Sequence, residues 1–181
     1  TPVNADVGTH TIVVTCTDGS SASVSDSYVL TVANTNDAPT VASAIADAST
    51  AEDASYSLDV TSSFADVDTG DSLTYTMSGA PSTLSISSGT ISGTPLNADV
   101  GTHSIVVTAT DGSNAAVSDT FVLTVTNTND APTITSTADT SAEEDEAYSY
   151  TTVASDVDAG DTVTLTCTTV PSWLSCTAGA L

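Results

Sequence analysis

The stretch HSIVVTATDGS at residues 103–113 combines a strand pattern with a turn signal. Every second position places a residue on one strand face, which then carries His103, Ile105, Val107 and Ala109. An Asp-Gly pair follows and is typical of a turn between strands. FVLTVTN and DSLTYTM alternate in the same way, and no segment shows a convincing helical period. The pattern predicts an all-β protein of short strands.

Repeats extend this stretch in both directions. TPVNADVGTHTIVVTCTDGS at 1–20 matches TPLNADVGTHSIVVTATDGS at 94–113, and NTNDAPT occurs at both 34–40 and 127–133. A second pairing matches 51–86 with 143–176. The repeats predict a complete central module at 41–133, the C-terminal half of a module at 1–40 (the N-terminal half-module) and the N-terminal half of a further module at 134–181 (the C-terminal half-module).

The module length predicts the architecture. About 93 residues of short alternating strands fit a seven-stranded Ig-like sandwich, and sandwiches in tandem form a rod. A copy of the first half-module would complete the last one. We therefore expect the chain to be one repeating unit of a longer polypeptide, or a subunit whose halves join those of its neighbours.

The charge balance narrows the function. The 181 residues include no Lys or Arg and 23 Asp or Glu, which gives a formal charge of −23. Without basic residues the chain has no patch to meet phosphate, which excludes nucleic-acid binding. Self-repulsion opposes a compact state, so we expect cations from outside. No apolar stretch approaches 18 residues and no signal peptide is visible, so we expect no membrane insertion in this segment.

Two segments resemble the dystroglycan-type cadherin-like, or putative Ig (He-PIG), repeats. They are PSWLSCTAGAL at 171–181 and TISGTPLNADVGTHSIVVTATDG at 90–112. NTNDAPT resembles the cadherin linker Asp-x-Asn-Asp-x-Ala-Pro. The resemblance covers essentially the whole chain and implies tandem cadherin-like sandwiches of the kind found in prokaryotic surface proteins, adhesins and spacers of secreted enzymes. It also implies calcium at the joints between modules, held by carboxylates and linker carbonyls.

Strand alternation on such a sandwich brings acidic loops to each linker. The first joint is expected to collect Asp6, Asn36, Asp37, Asp66, Asp68 and Asp111. The second joint is expected to collect Glu52, Asp99, Asn129, Asp130, Asp156 and Asp158. Asp71 and Asp161 either join these groups or cap turns. The alternative is that the acidic residues serve turns and solubility without a specific ion.

The remaining distinctive side chains suggest structure rather than catalysis. Cys167 and Cys176 flank a short turn and would bridge adjacent strands; alternatively Cys16 pairs with a cysteine of a neighbouring half-module, or the thiols are buried and free. Trp173 is expected to anchor a core. His10 and His103 are repeat equivalents expected at the core or its edge, so we predict no enzyme.

The sequence thus favours a calcium-stiffened segment of an extracellular filament, stalk or adhesin on a prokaryotic cell surface, in contact with copies of itself or neighbouring modules. An adhesive module that binds a glycan or a cell-surface partner is the second hypothesis, although 4% aromatic residues offer little platform for sugars. A passive spacer in a secreted multidomain enzyme is the third, and it requires a catalytic domain outside this segment.

Overall fold

The computed structural model describes residues 1–177 and contains strands and short 3-10 turns. The 3-10 turns are Asn4–Asp6, Thr61–Ser63 and Asn97–Asp99. The strands are β1 Gly8–Thr17, β2 Ser23–Val32, β3 Thr40–Val41, β4 Ala48–Ala51, β5 Tyr56–Asp59, β6 Phe64–Ala65, β7 Thr74–Ser78, β8 Leu84–Ser87, β9 Thr90–Gly93, β10 Gly101–Thr110, β11 Ala116–Thr126, β12 Thr133–Ile134 and β13 Ala154–Ser155. This described part of the chain holds no helix long and apolar enough to cross a membrane.

The central module is a sandwich of two sheets. One sheet has four strands in the order β4-β11-β10-β7, and the other has three in the order β5-β9-β8. β4 runs parallel to β11, and the other neighbours are antiparallel. The predicted seven-stranded, Ig-like and cadherin-like fold is confirmed.

The core lies between these two sheets and follows the strand alternation. Ile105 and Val107 on β10 are fully buried, and so is Phe121, the cross-strand partner of Ile105 on β11. Ile91 from the opposite sheet meets them in the same cluster. Burial of each such side chain contributes about 1.5–3 kcal/mol, so this face holds the two sheets together.

The N-terminal half-module contains the hairpin β1–β2, which copies β10–β11 in register. Ile12 pairs with Tyr28 as Ile105 pairs with Phe121. Nothing covers the corresponding face among the residues the structure describes, and Tyr28 is 55% exposed. The hairpin therefore forms the predicted strands without the core that its twin has.

The C-terminal half-module repeats the start of the central one. β12 pairs with β13 as β3 pairs with β6, and a disulfide joins Cys167 to Cys176 with 6.4 Å between their Cα atoms. Cys16 is an exposed free thiol.

Trp173 does not anchor a core as expected, because 70% of its side chain is exposed. Its repeat equivalent is Thr83, whose hydroxyl donates to Asp99 beside the turn Asn97–Asp99. Residues 134–177 contain no equivalent of that turn, so the indole lacks the contact that Thr83 makes.

Candidate metal centres at the joints

The first joint consists of the linker 34–39 and the acidic loops that it contacts. The amide of Asn36 donates to Oδ2 of Asp111 at 2.9 Å, and the backbone N–H of Asp37 donates to Oδ2 of Asp68 at 2.8 Å. Asp68 lies in the loop between β6 and β7, and Asp111 lies in the turn between β10 and β11. The linker is therefore bonded to both loops that the sandwich topology was expected to bring to it.

Three carboxylates converge at this joint. Asp66, Asp71 and Asp111, which we call cluster 1, each offer one oxygen within 4.8 Å of the others. Beside them, Oδ2 of Asp66 and Oδ1 of Asp68 are buried without a hydrogen-bond partner. Buried polar oxygens are normally satisfied, and a hard cation satisfies a carboxylate oxygen without a donor hydrogen. The donor set therefore fits calcium.

The electrostatics of cluster 1 differ between its members. Desolvation, followed by repulsion from the neighbouring carboxylates, raises the pKa of Asp71 above its ordinary value. The pKa of Asp111 is lowered, chiefly because the Asn36 amide donates to it and further because backbone N–H groups of its own turn do so. Asp111 is thus held ionised, and a cation at the cluster would relieve the repulsion that Asp71 experiences.

The second joint, around the linker 127–132, repeats this arrangement. The backbone N–H of Asp130 donates to Oδ2 of Asp158 at 2.7 Å, as Asp37 does to Asp68. Cluster 3 is formed by Asp156, Asp158 and Asp161, whose oxygens lie within 4.8 Å of one another. The two joints therefore share the bond from the linker aspartate to the loop aspartate and a neighbouring group of three carboxylates.

A further carboxylate group lies on the other side of the second joint. Cluster 2 contains Glu52, Asp53 and Asp130, again within 4.8 Å. Glu52 is only 2% exposed; its Oε1 accepts from the backbone N–H of Thr128 at 2.8 Å, while Oε2 is buried without a partner. Leaving such an oxygen unpaired in the interior is costly, so cluster 2 also fits a bound cation.

Two predicted ligands are placed differently from the expectation. Asp6 and Asp99 belong to none of the three clusters, because each carboxylate turns back to its own 3-10 turn. Oδ2 of Asp6 accepts from the backbone N–H of Val3 at 2.9 Å, and Oδ2 of Asp99 accepts from that of Leu96 at 3.0 Å. These bonds satisfy the free N–H groups of the turn, and they lower the pKa of Asp99.

The other predicted ligands lie at the joints, in clusters or in linker contacts. Asn36 and Asn129 each donate to the backbone carbonyl of the following aspartate, at 2.9 and 2.8 Å. The predicted residues that the structure brings to the two joints are Asn36, Asp37, Asp66, Asp68, Asp111, Glu52, Asn129, Asp130, Asp156 and Asp158. Asp71 and Asp161, which sequence reasoning left open between the joint and a turn, both belong to clusters.

Sequence reasoning missed three joint residues. The amide of Asn4 donates to Oδ2 of Asp37 at 2.8 Å, and the amide of Asn97 donates to Oδ1 of Asp158 at 3.0 Å. Both asparagines open the repeated Asn-Ala-Asp turn, so the repeat itself was the available signal. Asp53 was the third, and its neighbour Glu52 had pointed to the segment.

The two histidines have structural contacts. Nε2 of His10 donates to the carbonyl oxygen of Asp6, and Nε2 of His103 donates to that of Asp99, both at 2.7 Å. Each ring therefore fixes the 3-10 turn to the start of the following strand.

Comparison with known proteins finds one matching family and several similar solved structures. The He_PIG family model, described as "Putative Ig domain", matches residues 38–126 and 131–180. Among solved structures, PcdhgB3 EC1-4 has a TM-score of 0.55 and 23% identity over 84% of this chain and 41% of its own. Protocadherin Gamma B2 extracellular cadherin domains 1-5 has a TM-score of 0.53 and 21% identity over 84% of this chain and 33% of its own.

The two likenesses to cadherin domains bear on the fold alone. The endo-fucoidan hydrolase MfFcnA4 from glycoside hydrolase family 107 is also similar, with a TM-score of 0.43 and 25% identity over 70% of this chain and 20% of its own. The chain thus spans between a fifth and about two fifths of the length of these structures. A comparison with the curated proteins finds no match.

Proposed function

We propose that this chain, which belongs to the He_PIG family of putative Ig domains, is a calcium-stiffened structural segment of an extracellular filament, stalk or adhesin. One observation carries the proposal: buried carboxylate oxygens of Asp66, Asp68 and Glu52 have no partner where a linker meets a sandwich. A cation at cluster 2 connects Glu52 and Asp53 of the central module to Asp130 of the linker, and a cation at cluster 1 fixes the loops to which the first linker is hydrogen-bonded, so we expect both to stiffen their joints.

The clusters supply the ligands. Cluster 1, together with Asp68, would hold the ion of the first joint, and clusters 2 and 3 would hold the ions of the second. When bound, calcium supplies the positive charge that the chain lacks. Calcium suits these sites better than magnesium because it accepts six to eight oxygens in irregular geometry, whereas magnesium requires a near-ideal octahedron.

Other observations support an extracellular location and a non-catalytic role. The disulfide Cys167–Cys176 suits an oxidising compartment, and Ig-like and cadherin-like modules are typically extracellular and non-catalytic. A charge of −23 suits surroundings rich in cations. We therefore place the segment outside the cell, with the central module at 41–133 between two joints and with neighbouring modules or copies as its partners.

Thermal unfolding tests the proposal. In calcium at about one hundred times its Kd, binding to the native state adds about 2.7 kcal/mol per site, which raises the Tm by at least about 10 °C over that in EGTA. Magnesium chloride at equal ionic strength is the control and is expected to raise the Tm much less. Equal melting temperatures in calcium and in chelator would overturn the proposal.

A further inference from the structure

We propose that Asn97 is a positioning residue of the second joint, whose amide holds the carboxylate of Asp158 in place whether or not a cation is bound. Asn4 has the corresponding role at the first joint, where it holds Asp37. The modules then meet in a set orientation before calcium binds, and the cation stiffens an arrangement that the amides have already selected. The part of this inference that concerns calcium affinity rests on the proposed function, whereas the part that concerns the cation-free joint does not.

The bond from Asn97 to Asp158 crosses the joint directly. Nδ2 of Asn97 lies 3.0 Å from Oδ1 of Asp158, and the two residues are 61 positions apart in the sequence. An ionised carboxylate only accepts hydrogen bonds, so the amide presents its NH2 group to Asp158 rather than its own oxygen. Asn97 is thus oriented as a donor that orders this carboxylate, and not as an oxygen ligand of a cation beside it.

Asp158 depends on neutral donors when no cation is bound. The residue is 6% exposed, and its other carboxylate oxygen, Oδ2, accepts from the backbone N–H of Asp130 at 2.7 Å. The sequence contains no Lys or Arg that could pair with it. Burial of a charged group is costly unless hydrogen bonds compensate for the lost water, so these two bonds fix Asp158 beside the linker.

The turn Asn97–Asp99 gives the amide a fixed base. Oδ2 of Asp99 accepts from the hydroxyl of Thr83 at 2.7 Å. The ring of His103 bonds to the carbonyl oxygen of Asp99 at 2.7 Å, which fixes the turn to the start of β10. A polar group on a rigid element positions its partner more precisely than one on a free loop, so Asn97 can hold a carboxylate of the next module.

The first joint repeats the arrangement through its linker. Asn4 opens the equivalent turn, and its amide donates to Oδ2 of Asp37 at 2.8 Å. The backbone N–H of Asp37 donates in turn to Oδ2 of Asp68 at 2.8 Å. Two hydrogen bonds in series therefore connect the N-terminal half-module to the loop that carries Asp68. The same turn motif reaches a joint carboxylate at both joints, although the accepting residue differs.

Ordering by Asn97 has a consequence for a cation at cluster 3. Asp158 belongs to that cluster, whose three oxygens lie within 4.8 Å of one another. A group that hydrogen-bonds to a ligand orients it, and the cation is spared part of the cost of ordering the site. Removal of the amide therefore weakens calcium binding without removing a ligand. Loss of one hydrogen bond to a charged group corresponds to a factor of about ten in Kd.

Amide hydrogen exchange, followed by NMR on the full chain in EGTA, tests the cation-free joint. In the wild type the N–H of Asp130 is expected to exchange slowly, because it donates to a positioned Asp158. Asn97→Ala is expected to speed this exchange about tenfold. Asn97→Asp is expected to speed it at least as much, since a carboxylate cannot donate and repels Asp158. Equal exchange rates in the wild type and Asn97→Asp would overturn the inference.

Two controls separate positioning from a general loss of structure. Asn127→Ala changes an exposed asparagine of the same linker that makes no side-chain hydrogen bond within residues 1–177, and it is expected to leave exchange at Asp130 unchanged. The N–H of Phe121 reports on the core of the central module, and its exchange is expected to be equal in all variants. Faster exchange at Phe121 as well as at Asp130 in Asn97→Ala would contradict a positioning role.

A calcium titration followed through the same signals measures the affinity at each joint separately. Asn97→Ala is expected to raise the Kd about tenfold at the second joint, measured at Asp161, and to leave the first joint, measured at Asp71, unchanged. Asn4→Ala is expected to raise the Kd at the first joint instead, because Asp37 then loses the bond from the preceding half-module.

The outcomes distinguish this inference from the proposed function. If the wild type binds calcium and Asn97→Ala changes neither the exchange at Asp130 nor the Kd at the second joint, the positioning role is refuted and the proposed function stands. If the wild type binds calcium at neither joint, the proposed function is overturned, and the exchange rates in EGTA still decide whether Asn97 positions Asp158.

Discussion

The hairpins β1–β2 and β10–β11 have nearly the same sequence and the same register, yet they differ in what surrounds them. Ten residue pairs match in each hairpin. Phe121 is 1% exposed and its equivalent Tyr28 is 55% exposed. The difference shows that the alternating pattern and the turn are enough to specify strand pairing, whereas burial is a property of the second sheet.

The acidic segments show the same contrast. Glu52 of the central module is buried against the linker, and its equivalent Glu144 is exposed. The Glu-Asp pair is present in both segments, but within residues 1–177 only Glu52 accepts from a linker N–H, that of Thr128. A repeated residue thus becomes a candidate ligand when the next element of the joint is in place beside it.

The largest change in stability is expected from a substitution in the core of the central module. Phe121→Ala is expected to lower the free energy of unfolding of the central module by about 3–5 kcal/mol, because it leaves a cavity between the sheets. Tyr28→Ala in the uncovered hairpin is expected to change it by less than about 1 kcal/mol. Urea denaturation of dilute, monomeric protein measures both. Comparable losses would mean that the N-terminal hairpin is packed in solution.

The next largest effect is expected on calcium binding at the second joint. Glu52→Gln keeps the bond from Thr128 but removes the charge at cluster 2. We expect it to reduce the calcium-induced rise in Tm by about 10 °C, or about 2.7 kcal/mol, because one ion site is lost. Glu144→Gln is the matched control and is expected to leave the rise unchanged. For both variants the rise is measured as the difference between the Tm in calcium and the Tm in EGTA. An unchanged rise in Glu52→Gln would show that cluster 2 does not bind the ion.

The smallest effect concerns the 3-10 turn Thr61–Ser63, which has no counterpart in residues 134–177. Asp59 accepts from the hydroxyl and the backbone N–H of Thr61, which lowers its pKa below the ordinary 3.8. A lowered pKa in the folded state stabilises the fold fully above pH 3.8, and the contribution disappears as the pH falls through the folded-state value. The segment between Tyr150 and Asp156 is two residues shorter than its equivalent and lacks this aspartate.

Asp59→Asn is therefore expected to lower the Tm slightly at neutral pH and to converge with the wild type in acid. Thermal melts between pH 2 and 7 measure the difference. Because the carboxylate is exposed, the difference is expected to be small throughout. A difference in Tm that grows as the pH falls would contradict a lowered pKa of Asp59 in the folded state.

The sequence predicts much of this fold because alternation and repeats are local signals. Strand β10, the sandwich class and the convergence of the loops on each linker follow from period-two patterning and strand order. The direction in which a side chain turns does not. Asp6 and Asp99 satisfy N–H groups of their own 3-10 turns, whereas Asn4 and Asn97 at the start of the same motif reach across the joint.

The exposure of Trp173 could not be predicted from the sequence either. Trp173 occupies a position where its equivalent Thr83 contacts a turn from another part of the module. A large apolar residue in a repeated strand pattern indicates a core only when the covering elements lie within reach. That condition is set by tertiary structure and not by residue type.

An anomalous difference map from a crystal of this chain grown in calcium chloride would show whether the joints bind calcium. We predict peaks at both joints, about 2.3–2.6 Å from carboxylate oxygens of cluster 1 and from Oε2 of Glu52. Acidic loops that carry only water while calcium is present in the crystal would contradict it.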